Sequence, residues 1–315
     1  NTNAYGIELA DYGHPKVDEG LPQYNLAYAV NQKDSTPLFY ELYDGSVIDN
    51  TELEIMLEEA KEFGHEKLGV LMDRGYISEK NIKALRTKGY EYILMMKQNQ
   101  RICQEIIEEY GAAVQSLEGY YIGEHGVYGT TVKKQLYGQE TNIHVYYDDI
   151  RASEEKVALM SRYETWEKEI EKKVEKKLAT EGEMKKYRKV FKLKYDQNGY
   201  LVAYQRNSRY IKEEIRNLGF FFIMTSEDMS ASKALDIYRG RDNIEKMFRS
   251  LKSGIDFNKA RVHTTESLKS KVFVTFIAMI VRNELFQKAE ELRKKNRKAY
   301  TVPGMISELE NIECT

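Results

Sequence analysis

Only two cysteines, Cys103 and Cys314, occur among the 315 residues of the chain. They are far apart and match neither a disulfide nor a metal-binding spacing, which points to a reducing compartment. Long hydrophobic runs are missing as well. The longest, residues 272–281, is interrupted by Thr275 and is too short to span a bilayer. Nothing resembles a signal peptide. Neither sign of charge dominates: 48 Lys and Arg oppose 50 Asp and Glu, a net charge of −2, which argues against a uniformly basic nucleic-acid binder. The five histidines, His14, His65, His125, His144 and His263, show no paired metal-ligand spacing. There is no Gly-rich phosphate loop and no nucleophile elbow.

What is present describes a soluble α/β protein. A hydrophobic content of 42% and a charged content of 31% suit a large core, in one long or two modest domains. Short apolar runs at 24–30 and 37–42, split by a polar turn at 31–36, read as paired strands. Residues 52–63 have helical spacing with Thr51 as N-cap. The apolar run 67–72 stops at Asp73-Arg74-Gly75, a second helix starts at Ser78 and closes at Gly89, and 90–96 is a further strand. The order β-β-α-β-α-β predicts an α/β or α+β core.

From residue 97 to about 217 the pattern changes to short Tyr-rich strands at 120–122, 130–136 and 143–147. A charged helix at 153–186 follows, then a hairpin at 190–204 around Asn198-Gly199. The αβ pattern resumes with a strand at 220–224, a helix from about Ser230 and a very apolar helix at 267–286. These shifts predict a core in two parts, 1–97 and 218–290, interrupted by a β-rich insertion with a charged helix at 98–217, and a polar tail at 291–315 with one amphipathic piece after Pro303.

Charge is unevenly spread. Between residues 233 and 282 eleven Lys and Arg oppose five Asp and Glu, a local excess of +6, enough for a nucleic-acid footprint. Within it, residues 238–252 read as one helix with two faces. Tyr238, Arg241, Glu245, Arg249 and Lys252 share one stripe; Ile244, Met247, Phe248, Leu251 and Ile255 make the core-facing one. One carboxylate thus sits among a phenol and three cations able to engage a phosphate backbone. Read alone, Glu245 is also consistent with a surface acid paired at helical spacing. Asp73, at the stop of a buried strand, is rigidly held and accessible, or else a turn residue that caps the next helix or binds Arg74. Together the two acids suggest part of a carboxylate set for Mg²⁺, whose hard oxygen ligands they would supply. Two such ions about 4 Å apart serve in-line displacement at phosphorus. His263, beside Lys259 and Arg261, is a further candidate phosphate contact, and Trp166 is expected to pack on the inserted strands.

Tyr238, Arg241, Glu245 and Lys252 fit the spacing Y-x2-R-x3-E-x6-K. This resembles the segment around the last acid of bacterial insertion-sequence DDE transposases, which have a ribonuclease-H-like core. Val70-Leu-Met-Asp-Arg-Gly-Tyr76 is similar to their second-acid segment. Tyr12-Gly-His-Pro-Lys16 with Leu21-Pro-Gln23 looks like the stretch after the first-acid strand, and Pro37-Leu38 and Asp44-Gly45-Ser46 with Asp49 like the next strand and turn. The resemblance spans roughly 5–100 and 218–286, and the block between matches the β-rich insertion of some members. It implies an α/β fold, a ribonuclease-H-like mixed sheet flanked by helices. It implies Asp73 and Glu245 as catalytic metal ligands for two Mg²⁺ or Mn²⁺ ions. Tyr238, Arg241, Arg249 and Lys252 would be the DNA-binding residues. The reaction would be cleavage at transposon ends followed by attack of the freed 3′-OH on target DNA. Double-stranded DNA, both inverted-repeat ends and target, would be the partner of a homodimer associated with the bacterial nucleoid in the cytoplasm.

The family's first Asp lies further upstream of the Tyr12-Gly-His segment than this chain extends, and Asp11 is too close to it. The expectation is therefore an N-terminally truncated catalytic region, inactive alone because that Asp is absent. A non-catalytic DNA-binding remnant and a hydrolysis-only metal-dependent nuclease are the alternatives.

Overall fold

The computed structural model describes residues 6–12, 22–31, 34–46, 49–62, 64, 69–72, 77–176, 182–241, 261–296 and 301–310. The chain divides into two compact units, one of Asn1–Glu91 with Asp236–Thr315 and one of Tyr92–Leu235.

In the first unit β1 (Tyr24–Val30) and β2 (Pro37–Asp44) pair antiparallel, with Tyr28 opposite Tyr40. The connecting turn is closed by Asn31, whose N–H donates to the Thr36 carbonyl at 2.8 Å, and by Asp34, whose carboxylate accepts from the Thr36 N–H at 3.0 Å. Helix α7 (Thr265–Asn296) covers the hairpin. The Phe276 ring stacks on Tyr28 at 6.1 Å and meets Tyr40 at 5.0 Å. Such aromatic pairs contribute about 1 kcal/mol each beyond their buried area. Leu268, Val272 and Met279 on the same face pack with Ile7, Leu26 and Leu42. Near the far end of this contact, the Asn283 and Gln287 amides donate to the Asp34 carbonyl at 3.0 and 2.9 Å, tying the turn to the helix.

The extended segment before β1 docks by backbone hydrogen bonds. Asp11 and Gln23 exchange N–H···O bonds of 2.9 Å, and the Gly45 N–H reaches the Leu9 carbonyl at 3.2 Å. Gly45 is required by this crossing, because a Cβ there would stand 1.8 Å from the Gln23 oxygen and 2.7 Å from the Asp11 oxygen. Both are backbone atoms that cannot swing aside. Gly45→Ala should therefore cost about 3 kcal/mol, the upper range for overpacking. Urea unfolding measures it, and a loss below about 0.5 kcal/mol would show that the three segments are not held together as described.

Also in this unit are α1 (Asp49–Glu62), the short β3 (Gly69–Met72) and α2 (Glu79–Thr87). Helix α2 starts where Ser78 Oγ accepts from the Asn81 N–H at 3.1 Å. It stops at Gly89, whose φ of +72° favours glycine, with Tyr90 N–H returning to the Leu85 carbonyl. The Tyr90 hydroxyl reaches back to α1 at the Leu57 carbonyl, 3.4 Å away. Helix α8 (Val302–Glu310), capped by Thr301, is the amphipathic piece expected after Pro303.

In the second unit the strand order is β4-β10-β7-β6-β5, every pairing antiparallel. These strands are β4 (Glu91–Met95), β5 (Tyr121–Ile122), β6 (Val127–Leu136), β7 (Gln139–Tyr147) and β10 (Phe220–Thr225). All six residues of β10 are buried, which explains the unbroken apolar run Phe-Phe-Phe-Ile-Met. Helix α3 (Arg101–Ser116) packs on this sheet through Gly111, where an added Cβ would meet the Phe220 ring at 3.2 Å. A second cluster joins α4 (Asp149–Lys176), the hairpin of β8 (Phe191–Tyr195) and β9 (Leu201–Arg206), and α5 (Ser208–Asn217). Its centre is Tyr163, Ile170, Tyr187, Phe191 and Leu201, with Trp166 meeting Tyr187 edge-on at 5.6 Å as expected for packing on the inserted strands.

Several boundaries differ from expectation. Helix α1 begins at Asp49, so Thr51 lies inside it and not at its cap. The charged helix runs over Asp149–Lys176 and not 153–186, because Asp148 caps it: its carboxylate accepts from the Arg151 N–H at 3.0 Å. Strands β6 and β7 are longer than read, since Tyr137 and Gly138 take positive φ values of 53° and 83° and form the tight turn between them. Helices α3 and α5 were not expected at all, although Cys103, Ile106, Ile107 and Val114 are spaced for a buried helical face. Helix α7 continues ten residues past Phe286.

Candidate functional site

Strand β3 ends at the buried Met72. Asp73 itself, and Glu245, Arg249 and Lys252, lie outside the described residues. Among the described residues no group of three or more His, Cys, Asp or Glu side chains is placed to hold a metal ion.

Helix α6 (Ala231–Arg239) carries the other two site residues. Ser230 starts it, its hydroxyl accepting from the Lys233 N–H at 3.2 Å. Ala231, Ala234, Leu235 and Tyr238 recur at helical spacing and are all buried. The helix closes at Arg239. Gly240 and Arg241 follow as a turn, with Gly240 N–H on the Asp236 carbonyl and Arg241 N–H on the Tyr238 carbonyl, both at 3.1 Å. The single continuous helix expected over 238–252 is thus interrupted at its start, where glycine is the weak point. In this turn the Arg241 guanidinium lies 5.0 Å from the centre of the Tyr238 ring. A cation over a phenol face is attracted by the ring quadrupole, by about 0.5–2 kcal/mol. Tyr238 is only 5% exposed, so its ring is a platform beneath Arg241 and not an open surface. Starting the helical period at Ser230 and not at Tyr238 exposes this in the sequence, because Tyr238 then continues the Ala231-Ala234-Leu235 stripe.

Arg261 and His263 are exposed, and Arg261 has a φ of 50°. The His263 backbone carbonyl presses on Gly6, where a Cβ would come within 2.3 Å of its oxygen. Asp11 is exposed, and its carboxyl is held below the usual range by hydrogen bonds from Ser46 and the Tyr12 N–H. It serves the crossing with Gln23 and Gly45.

Strands flanked by helices make this an α/β protein, and the family to which it belongs follows from the match over most of its length. The chain belongs to the Transposase DDE domain family, whose model matches residues 6–281. No curated protein matches it. The α/β, ribonuclease-H-like class expected of the sequence stands, and the chain is a transposase, an enzyme of DNA transposition. No described helix is long and apolar enough to cross a membrane.

Proposed function

We propose that this domain cleaves double-stranded DNA at the ends of a mobile element and joins the freed 3′-OH to target DNA. The observation that carries this is the Tyr238–Arg241 stack at the end of α6, inside the segment spaced Y-x2-R-x3-E-x6-K, in a chain matched over residues 6–281. Asp73 and Glu245 are the acids that would hold Mg²⁺ or Mn²⁺; carboxylates are the hard oxygen donors such ions take. When bound, the metal supplies charge stabilisation for in-line displacement at phosphorus.

The residues of the chain do the positioning. Arg241, held over Tyr238, directs its guanidinium donors at non-bridging phosphate oxygens, for which a planar fork is well matched. Lys252 and Arg249, further along the same segment of the sequence, would add point and forked positive charge near Glu245. Each phosphate neutralised adds affinity without reading sequence. A homodimer would hold two element ends together, so that both 3′-OH groups reach one target.

The test is an assay with the full-length protein, a linear duplex bearing the element's ends, a target plasmid and Mg²⁺. End cleavage together with joined products is the expected result. Cleavage without joining would replace the reading by a hydrolytic nuclease, and DNA binding with neither product would replace it by a non-catalytic DNA-binding protein.

A further inference from the structure

The hairpin β8–β9 has two chemically opposed faces. Residues directly opposite in the register share a face: Phe191 with Arg206 and Leu193 with Tyr204 on one, Lys192 with Gln205 and Lys194 with Ala203 on the other. The first face packs on α4. There Glu167 pairs with Arg206, Glu171 accepts from the Tyr204 hydroxyl at 2.8 Å, and Glu169 binds Lys186 at 3.0 Å and the Tyr187 hydroxyl. On α5, Glu214 accepts from Tyr210 at 2.7 Å and from Tyr163. These carboxylates of α4 and α5 are therefore occupied, and Asp196 at the hairpin turn accepts from the Asn198 and Tyr200 N–H groups, both at 2.9 Å.

The second face keeps its cations. Lys192 and Lys194 are exposed and have no carboxylate partner among the described residues, as do Lys185 and Lys189 in the segment that enters the hairpin. Across residues 182–217 ten Lys and Arg oppose four Asp and Glu, an excess of +6 in a chain whose net charge is −2. An exposed lysine row is ordinarily just solvated surface. Here Glu167 and Glu171 of α4 are engaged on the opposite side of a two-stranded ribbon, and the major groove of duplex DNA is wide enough to admit such a ribbon.

We propose that the outer face of the β8–β9 hairpin is a second DNA-binding surface. It takes the phosphate backbone of duplex DNA without regard to sequence, through Lys192 and Lys194 with Gln205 beside them. This rests on the transposase reading, and adds to it a place on the inserted segment where DNA is held.

The test measures binding of the full-length protein to a 30-base-pair duplex of arbitrary sequence across a range of salt concentrations. Lys192→Gln with Lys194→Gln should weaken binding at least ten-fold at low salt. It should also lower the slope of log affinity against log salt by about 1.8, two phosphates' worth of released counterions. The matched control is Lys168→Gln with Lys172→Gln, two exposed lysines of α4 that change the net charge equally. Both variants alter exposed side chains, and an unchanged thermal midpoint verifies folding. An unchanged slope in the hairpin variant, or an equal loss in the control, overturns the surface. The two readings fail separately: a wild-type chain that binds no duplex DNA sinks the transposase reading, whereas wild-type binding matched by the hairpin variant sinks only this one.

Discussion

Replacing Glu245 by Gln in the full-length protein should reduce Mg²⁺-dependent cleavage at element ends by about a thousand-fold or more and leave DNA affinity intact. The side chain keeps its length and one carbonyl oxygen but loses its charge, and a divalent ion at a phosphoryl-transfer site is held by that charge. Metal stabilisation of the displacement is worth several kcal/mol, and each 1.36 kcal/mol is a factor of ten in rate. Binding responds in the other direction. Removing a negative charge from a segment of the sequence that also carries Arg241, Arg249 and Lys252 lessens repulsion of phosphates, so affinity should hold or rise slightly. Asp73→Asn should behave in the same way, and the double variant should be no slower than either single one, because two ligands of one site fail as a unit. Cleavage at the wild-type rate by Glu245→Gln would remove this residue from the catalytic set. Loss of both cleavage and DNA binding would make it a structural residue.

Stability should fall in acid through one buried histidine. His144 on β7 is completely enclosed between Thr131 on β6 and Thr225 on β10. The Thr225 hydroxyl donates to the Glu227 carbonyl at 2.8 Å, so its oxygen can only accept the Nε2–H of His144 at 3.0 Å. That leaves Nδ1 as the acceptor for the Thr131 hydroxyl at 2.8 Å. The neutral ring is satisfied on both sides, and a second ring proton would have no acceptor without turning Thr131 away. Burial pushes the pKa of His144 down to about 4, against a weaker upward pull from Asp228. Below pH 6.5 the unfolded chain takes up a proton that the folded chain refuses until about pH 4. The stabilisation is therefore complete above pH 6.5 and lost as the pH falls from there towards 4, in all about 3 kcal/mol. Urea unfolding of the wild type and of His144→Gln at pH 7.5 and 4.5 isolates this contribution from that of the carboxylates. The wild type should lose about 2 to 3 kcal/mol more than the variant over that interval. Equal losses would mean that the ring is protonated or hydrated in the folded chain.

Much of the architecture was legible because it is encoded locally. Ser78 and Gly89 delimit α2 through a hydroxyl and a positive φ that need no distant partner, and Asn198-Gly199 marks the β8–β9 turn in the same way. The six buried residues of β10 are readable because a strand covered on both faces has no polar side to alternate with. Where reading failed, a local signal was overlooked or a competing one was preferred. Asp148 caps α4 so that it starts at Asp149, four residues before the expected start, and the apolar spacing of α3 was hidden in a stretch read for its tyrosines. The proposed metal-binding acids rest on type and spacing, since Asp73 at the stop of an apolar run and Glu245 among cations are patterns along the chain.

The sequence by itself determined the family, the acids expected to hold metal and the order of most strands and helices, because these depend on periods, caps and spacings of a few residues. The tertiary structure alone decided which side chains face each other. It enclosed His144 between threonines of two neighbouring strands, and paired Glu167 and Glu171 of α4 with Arg206 and Tyr204 on the face opposite Lys192 and Lys194. Burial and charge pairing join residues from strands and helices far apart in the chain, and no local period records that proximity.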